Sequence, residues 1–149
     1  MATWTDFTVD VPDFATRVRT LFSAHRHHTM ATLRKDGSPR ISGTEVSFED
    51  GHLSIGMMAG ARRVEDLRRD ARLAIHSHCV DPPEGDPSEW CGEAKISGRA
   101  VETPGGEDGS HLFRIDISDV VLTGIGTPAD HLVIEWWRPQ VGLTRLERH

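Results

Sequence analysis

From Thr29 onward, apolar and polar residues alternate in short runs broken by glycine-bearing turns, which is the pattern of antiparallel strands. Residues 29–34 and 39–48 form two runs joined by Lys35-Asp36-Gly37-Ser38, and Glu49-Asp50-Gly51 leads into a third, where Leu53, Ile55 and Met57 fall at period two. Asp-Gly readily supplies the positive φ of a tight hairpin turn, so these runs predict a meander. In a fourth run Leu73, Ile75 and Ser77 alternate with Arg72, Ala74, His76 and His78. Between the third and fourth runs, residues 62–68 fit one or two helical turns, with Val64 and Leu67 facing inward.

The flanks frame this stretch. Phe14, Val18, Leu21 and Phe22 mark one face of an amphipathic helix over residues 11–27, with Asp10 placed to cap it and Pro12 suited to its first turn. Residues 80–88 are a Pro-rich acidic connection, either a surface loop or a lid, and Trp90 is read as its anchor. Residues 93–102 predict a fifth strand and 103–110 a Gly-rich loop. Strands follow at 111–117, 120–125, 131–137 and 141–146. Trp136 and Trp137 must then point to opposite faces, and a partner subunit would explain the outer one.

Composition narrows the classes. A chain of 149 residues suits one domain, and 37% apolar with 27% charged residues is the balance of a globular protein. No apolar run approaches the roughly 18 residues of a membrane span. The net charge of −6, with acids concentrated between Asp81 and Asp108, opposes nucleic-acid binding. The amino terminus lacks the basic and apolar segments of a secretory signal, so a cytoplasmic location is expected. Cys79 and Cys91, separated by the acidic loop, are expected as reduced thiols.

The candidate chemistry starts at Arg62 and Arg63. The first turn of a helix presents unpaired N–H groups and a partial positive charge, so two guanidinium groups there make a site for one small anion such as a phosphate. The competing reading is a solvated helix whose arginines pair with Glu65, Asp66 and Asp70. Ser42-Gly43-Thr44 within a strand marks either a bulge at a barrel corner or a place where another group approaches the backbone. His25, His27 and His28 straddle a helix end, so their side chains diverge; His76 and His78 share a strand face but are two ligands only, and no metal is expected. Leu122-Thr123-Gly124-Ile125-Gly126 lacks the third glycine and the following helix of a dinucleotide fingerprint. No nucleophile constellation stands out.

The segment ATLRKDGSPR, a second strand, a Gly-containing loop with a basic pair, and then DLRRDARLAI together resemble the pyridoxamine 5′-phosphate oxidase-like split-barrel superfamily, which includes actinobacterial deazaflavin-dependent reductases. The likeness covers roughly residues 20 to 101 and rests on spacing. It implies a mainly β fold, an antiparallel split β-barrel with a few helices, assembled as a homodimer. It implies FMN, or alternatively the deazaflavin coenzyme F-420, at the dimer boundary, serving an oxidoreductase with a small-molecule substrate or electron acceptor. A non-enzymatic flavin, deazaflavin or haem binding protein is the alternative, with His76 or His78 as the haem candidate.

By the same resemblance Arg40 reaches the phosphate, and Ile41, Ser42, Gly43 and Thr44 run beside the ring. Ile55 and Gly56 pass the ribityl chain or the ring, Arg62 and Arg63 hold the phosphate, and Glu93 stands where the family has a flavin-contacting glutamine. Glu45 departs from the pattern. The oxidase has a lysine at the matching place, and a carboxylate there opposes negative charge on a reduced flavin. The implied likeness therefore extends to cofactor binding and not to vitamin oxidation.

Overall fold

Two helices precede the barrel in the computed structural model, which describes residues 1–149. Helix α1, Trp4–Asp10, begins with a capping box in which Thr3 and Asp6 each bond the other's backbone N–H, at 2.9 and 3.0 Å. Helix α2, Pro12–Ser23, follows directly. The helix expected over 11–27 is therefore shorter, and its N-cap is Val11, not Asp10. Asp10 instead accepts a 2.7 Å hydrogen bond from the indole N–H of Trp137. Buried Trp4, Phe7, Phe14, Val18 and Phe22 bind the two helices to the core.

Nine strands form one antiparallel sheet: β1 His28–Leu33, β2 Pro39–Thr44, β3 Val46–Glu49, β4 His52–Met57, β5 Arg72–His76, β6 Glu93–Thr103, β7 His111–Ile125, β8 Leu132–Arg138 and β9 Gly142–Arg148. The third helix, α3 Arg62–Arg69, crosses from β4 to β5. The ladder runs β2-β1-β5-β6-β7-β4-β3, with β8 and β9 branching from β7. Both Asp-Gly turns form as expected, with Gly37 and Gly51 at positive φ.

Three strand expectations change. The run over 39–48 divides at Glu45, because its first half pairs with β1 and its second with β4. The two runs expected at 111–117 and 120–125 are one continuous strand. The fourth run stops at His76, and Ser77 is buried beyond the strand end.

The division at Glu45 shapes the molecule. β2 and β3 are the two ends of the ladder path, yet they are consecutive in the chain, so the path curls back on itself without a ladder between its ends. β7 has one edge shared by two partners: residues 111–115 pair with β4 and residues 120–125 with β8. The sheet splits there. Inside, Met30, Leu53, Ile55, Ile75, Ile96, Phe113, Ile115 and Ile117 are fully buried, the inward positions of alternating strands. Trp137 is buried with them, and Trp136 remains partly exposed on the other face.

Candidate functional site

At the unladdered seam, the end of β2 faces the end of β4 across a cleft of about 540 Å³. Its walls are His27, Gly43, Thr44, Glu45, Gly56, Met57, Met58, Arg63 and Ser110. Thus Gly43, Thr44, Glu45, Gly56 and Arg63, five residues singled out from the sequence, come together in one place. The volume falls within the roughly 300–1,000 Å³ of small-molecule sites.

Two glycines keep the cleft open. A Cβ at Gly43 would meet nothing closer than a backbone oxygen at 4.0 Å, and one at Gly56 would meet Leu112 at 3.6 Å and the His111 carbonyl oxygen at 4.0 Å. Neither glycine is thus forced by crowding within the chain, and in the cleft wall each leaves bare backbone that a ligand could approach.

Arg63 forms the polar end. Helix α3 starts without a side-chain cap, and its N-cap is Ala61. Val64 and Leu67 bury the inner face and leave the arginines outside it. The expected arginine pairs form at Arg69 with Asp66, 3.1 Å, and at Arg72 with Asp70, 2.7 Å; Arg62 is exposed without an ion pair, and Arg63 pairs with none of the three acids. One terminal nitrogen of Arg63 donates to the Gly43 carbonyl, while its buried Nε has no partner. Burial of this guanidinium lowers its pKa from the usual arginine value. A buried donor without an acceptor, at an uncapped helix start, is a pair of features that an anion would satisfy.

The remaining candidates lie elsewhere. Arg62 is exposed and does not line the cleft. Arg40 turns toward Asp66 and donates from Nε to Oδ2 at 2.7 Å. Asp66 also accepts from Thr32 at 2.8 Å and Arg69 at 3.1 Å. Burial alone would raise its pKa, but the bonds from Arg40, Thr32 and Arg69 together outweigh that and hold the carboxyl below the usual range. Arg40 therefore fastens α3 to β2. Ile41 is exposed, Ser42 is half-buried beside it, and the Ile55 side chain is in the barrel core. Glu93 lies 3.2 Å from His76 at the start of β6, outside the cleft.

Sequence reading passed over two contributors. His27 stands at the mouth with Nε2 3.4 Å from Glu45, and Arg26 approaches the same carboxylate at 3.8 Å. Ser110 arrives because Met57 pairs with His111, a contact of long sequence separation that leaves no local signal. Asp66 was read from the sequence as a partner for the arginines of its own helix, which its bond from Arg69 matches, while its bonds from Arg40 and Thr32 come from distant strands. The histidines do diverge: His28 is buried, His27 faces Glu45, and His25 stacks on His78 at 4.1 Å. Both cysteines are free thiols, and the Trp90 indole ties the acidic loop to the Val80 carbonyl at 2.7 Å. No helix is long and apolar enough to cross a membrane.

No family profile and no curated protein sequence matches the chain. Solved structures do. A pyridoxamine 5′-phosphate oxidase-related, FMN-binding protein from Nostoc punctiforme superposes with a TM-score of 0.64 at 8% identity, over 93% of this chain and 96% of that one. A haem-binding protein from Mycobacterium smegmatis gives 0.53 at 12% identity, over 89% and 86%. An FAD-binding protein from Mesorhizobium loti gives 0.51 at 20% identity, over 71% and 89%. The mainly β, antiparallel architecture and these superpositions agree: the chain shares the split β-barrel fold of these proteins.

Proposed function

We propose that the protein is a flavin- or deazaflavin-dependent oxidoreductase, whose cofactor, FMN or the deazaflavin coenzyme F-420, occupies the seam cleft at the boundary of a homodimer. The observation that carries this reading is the partnerless Nε of Arg63, buried in the wall of a cleft floored by Gly43 and Gly56. Structural neighbours that bind FMN and FAD support it. Such a cofactor supplies the hydride or electron chemistry when bound.

The chain's own residues supply position and charge. Arg63 binds the anionic tail together with the open N–H groups of α3. The Gly43 and Gly56 backbones set the approach of the flat portion, and Met57 and Met58 border it. Glu45 sits at the rim, where Arg26 and His27 lie beside its carboxylate at 3.8 and 3.4 Å. Arg40 and Asp66 act one step removed, by holding α3 against the barrel so that Arg63 reaches the cleft.

The dimer reading rests on two exposed apolar side chains: Met58, which lines the cleft, is 81% exposed, and Ile41, two residues before Gly43 on β2, is 74% exposed, and both are suited to a second copy of the chain. Glu93, absent from the cleft of its own chain, could contact cofactor only from that second copy.

Haem binding without turnover is the second reading, favoured by the mycobacterial superposition. Of its two candidate ligands, His76 has both ring nitrogens engaged, Nδ1 with the Ser77 carbonyl at 2.6 Å and Nε2 with Glu93. Spectral titration of the purified full chain with FMN, with deazaflavin and with haem separates the readings. Saturable binding of FMN or deazaflavin with a shifted absorption band is expected; a Soret shift with haem and no response to either flavin would replace this proposal with the second reading.

A further inference from the structure

Far from the seam cleft, the turn between β7 and β8 folds against the end of β9. There Asp130, His131 and His149 place a carboxylate oxygen and two imidazole nitrogens all within 4.8 Å of one another. The pairing of Leu132 with Arg148 brings these distant positions together, so the cluster is a product of sheet register. We propose that these three side chains bind a divalent transition-metal ion, zinc or a late first-row neighbour, which pins the end of β9 to the turn.

The donor set fits that class. Imidazole nitrogens with one carboxylate suit zinc, cobalt, nickel or copper better than the oxygen-seeking calcium or magnesium. Asp130 Oδ1 accepts a 2.7 Å hydrogen bond from His131 Nδ1, so the two ligand atoms already face each other, and an ion that replaces the shared proton spreads them to the roughly 3.3 Å of a tetrahedral site. The His131 side chain is only 6% exposed, so its orientation is set by the fold. A Cβ on Gly126 would collide with its ring, so glycine is required beside it.

The opposite face of that ring completes the arrangement. With Nδ1 turned to the ion, Nε2 faces Glu147 Oε2 at 4.0 Å, the place of the outer carboxylate that commonly orients a metal-bound histidine. His149 lies flat over His131, with ring centroids 4.6 Å apart and planes 21° from parallel. Being exposed, His149 can rotate to bring a nitrogen to the ion, and water fills the open positions.

The test uses the full chain, titrated with Co²⁺ followed by its visible absorption and with Zn²⁺ followed by calorimetry. One equivalent should bind, and His149→Ala and Asp130→Asn should each weaken binding about tenfold or more while circular dichroism stays unchanged. The double variant His25→Ala/His78→Ala controls for the other histidine pair and should bind as the parent does. Failure of the parent chain to bind either ion, or unaltered affinity in both His149→Ala and Asp130→Asn, overturns the proposal. So does loss confined to the His25/His78 variant.

Discussion

His28 shows how a single ring can fix its own tautomer. Its Nδ1 accepts a 3.0 Å hydrogen bond from the His78 backbone N–H, so the proton must lie on Nε2, which donates to the Phe22 carbonyl at 2.9 Å, near the end of α2. Burial pushes its pKa below the usual imidazole value, against the pull of the nearby carbonyls. Below about pH 6.5 the unfolded chain therefore binds a proton that the folded chain resists, and stability falls as pH drops. Urea midpoints at pH 7.5 and 5.5 should show this decline, and His28→Gln should flatten it. The sequence displayed His28 as one of three neighbouring histidines and did not distinguish it, because both of its partners come from folding. Arg40 was opaque for the same reason. Its spacing from the hairpin matched a phosphate contact, while its actual partner, Asp66, is 26 residues away.

At the scale of elements, local chemistry was legible and long-range partition was not. The two Asp-Gly turns, the alternating strands and the short helix with Val64 and Leu67 inward are written in neighbouring residues. Helix α1 also had a signal, the Thr3-x-x-Asp6 capping spacing, which the sequence reading passed over. The break at Glu45 had none, since both halves of residues 39–48 carry strand character and only their different partners separate them. The continuity of β7 likewise depends on β6, which pairs along nearly all of it and shifts register between Ser97 and Gly98. A Cβ on Gly98 would collide with the Asp116 carbonyl at this irregularity. Gly98→Ala should therefore destabilise the fold by about 1–3 kcal/mol, read as a lowered denaturant midpoint with an unchanged slope.

The whole molecule joins these scales at the seam. A ladder that curls back on one stretch of chain leaves its ends unpaired, and the gap exposes glycine backbone on one side and the start of α3 on the other. Hydrophobic alternation dictates the barrel; the cleft follows from where closure is incomplete. Arg63 lines that cleft, and Arg40 is bonded to Asp66 on the helix that presents it. The most direct measurement of this division is the dissociation constant for FMN, from quenching of flavin fluorescence, in the parent chain, Arg63→Ala and Arg40→Ala, alongside their thermal midpoints. Loss of a charge-assisted contact worth about 1.5–3 kcal/mol should weaken Arg63→Ala roughly 10- to 100-fold with little change in midpoint, whereas Arg40→Ala should chiefly lower the midpoint. Equal FMN affinity in the parent chain and Arg63→Ala, or binding of neither FMN nor the deazaflavin by the parent chain, would contradict the account.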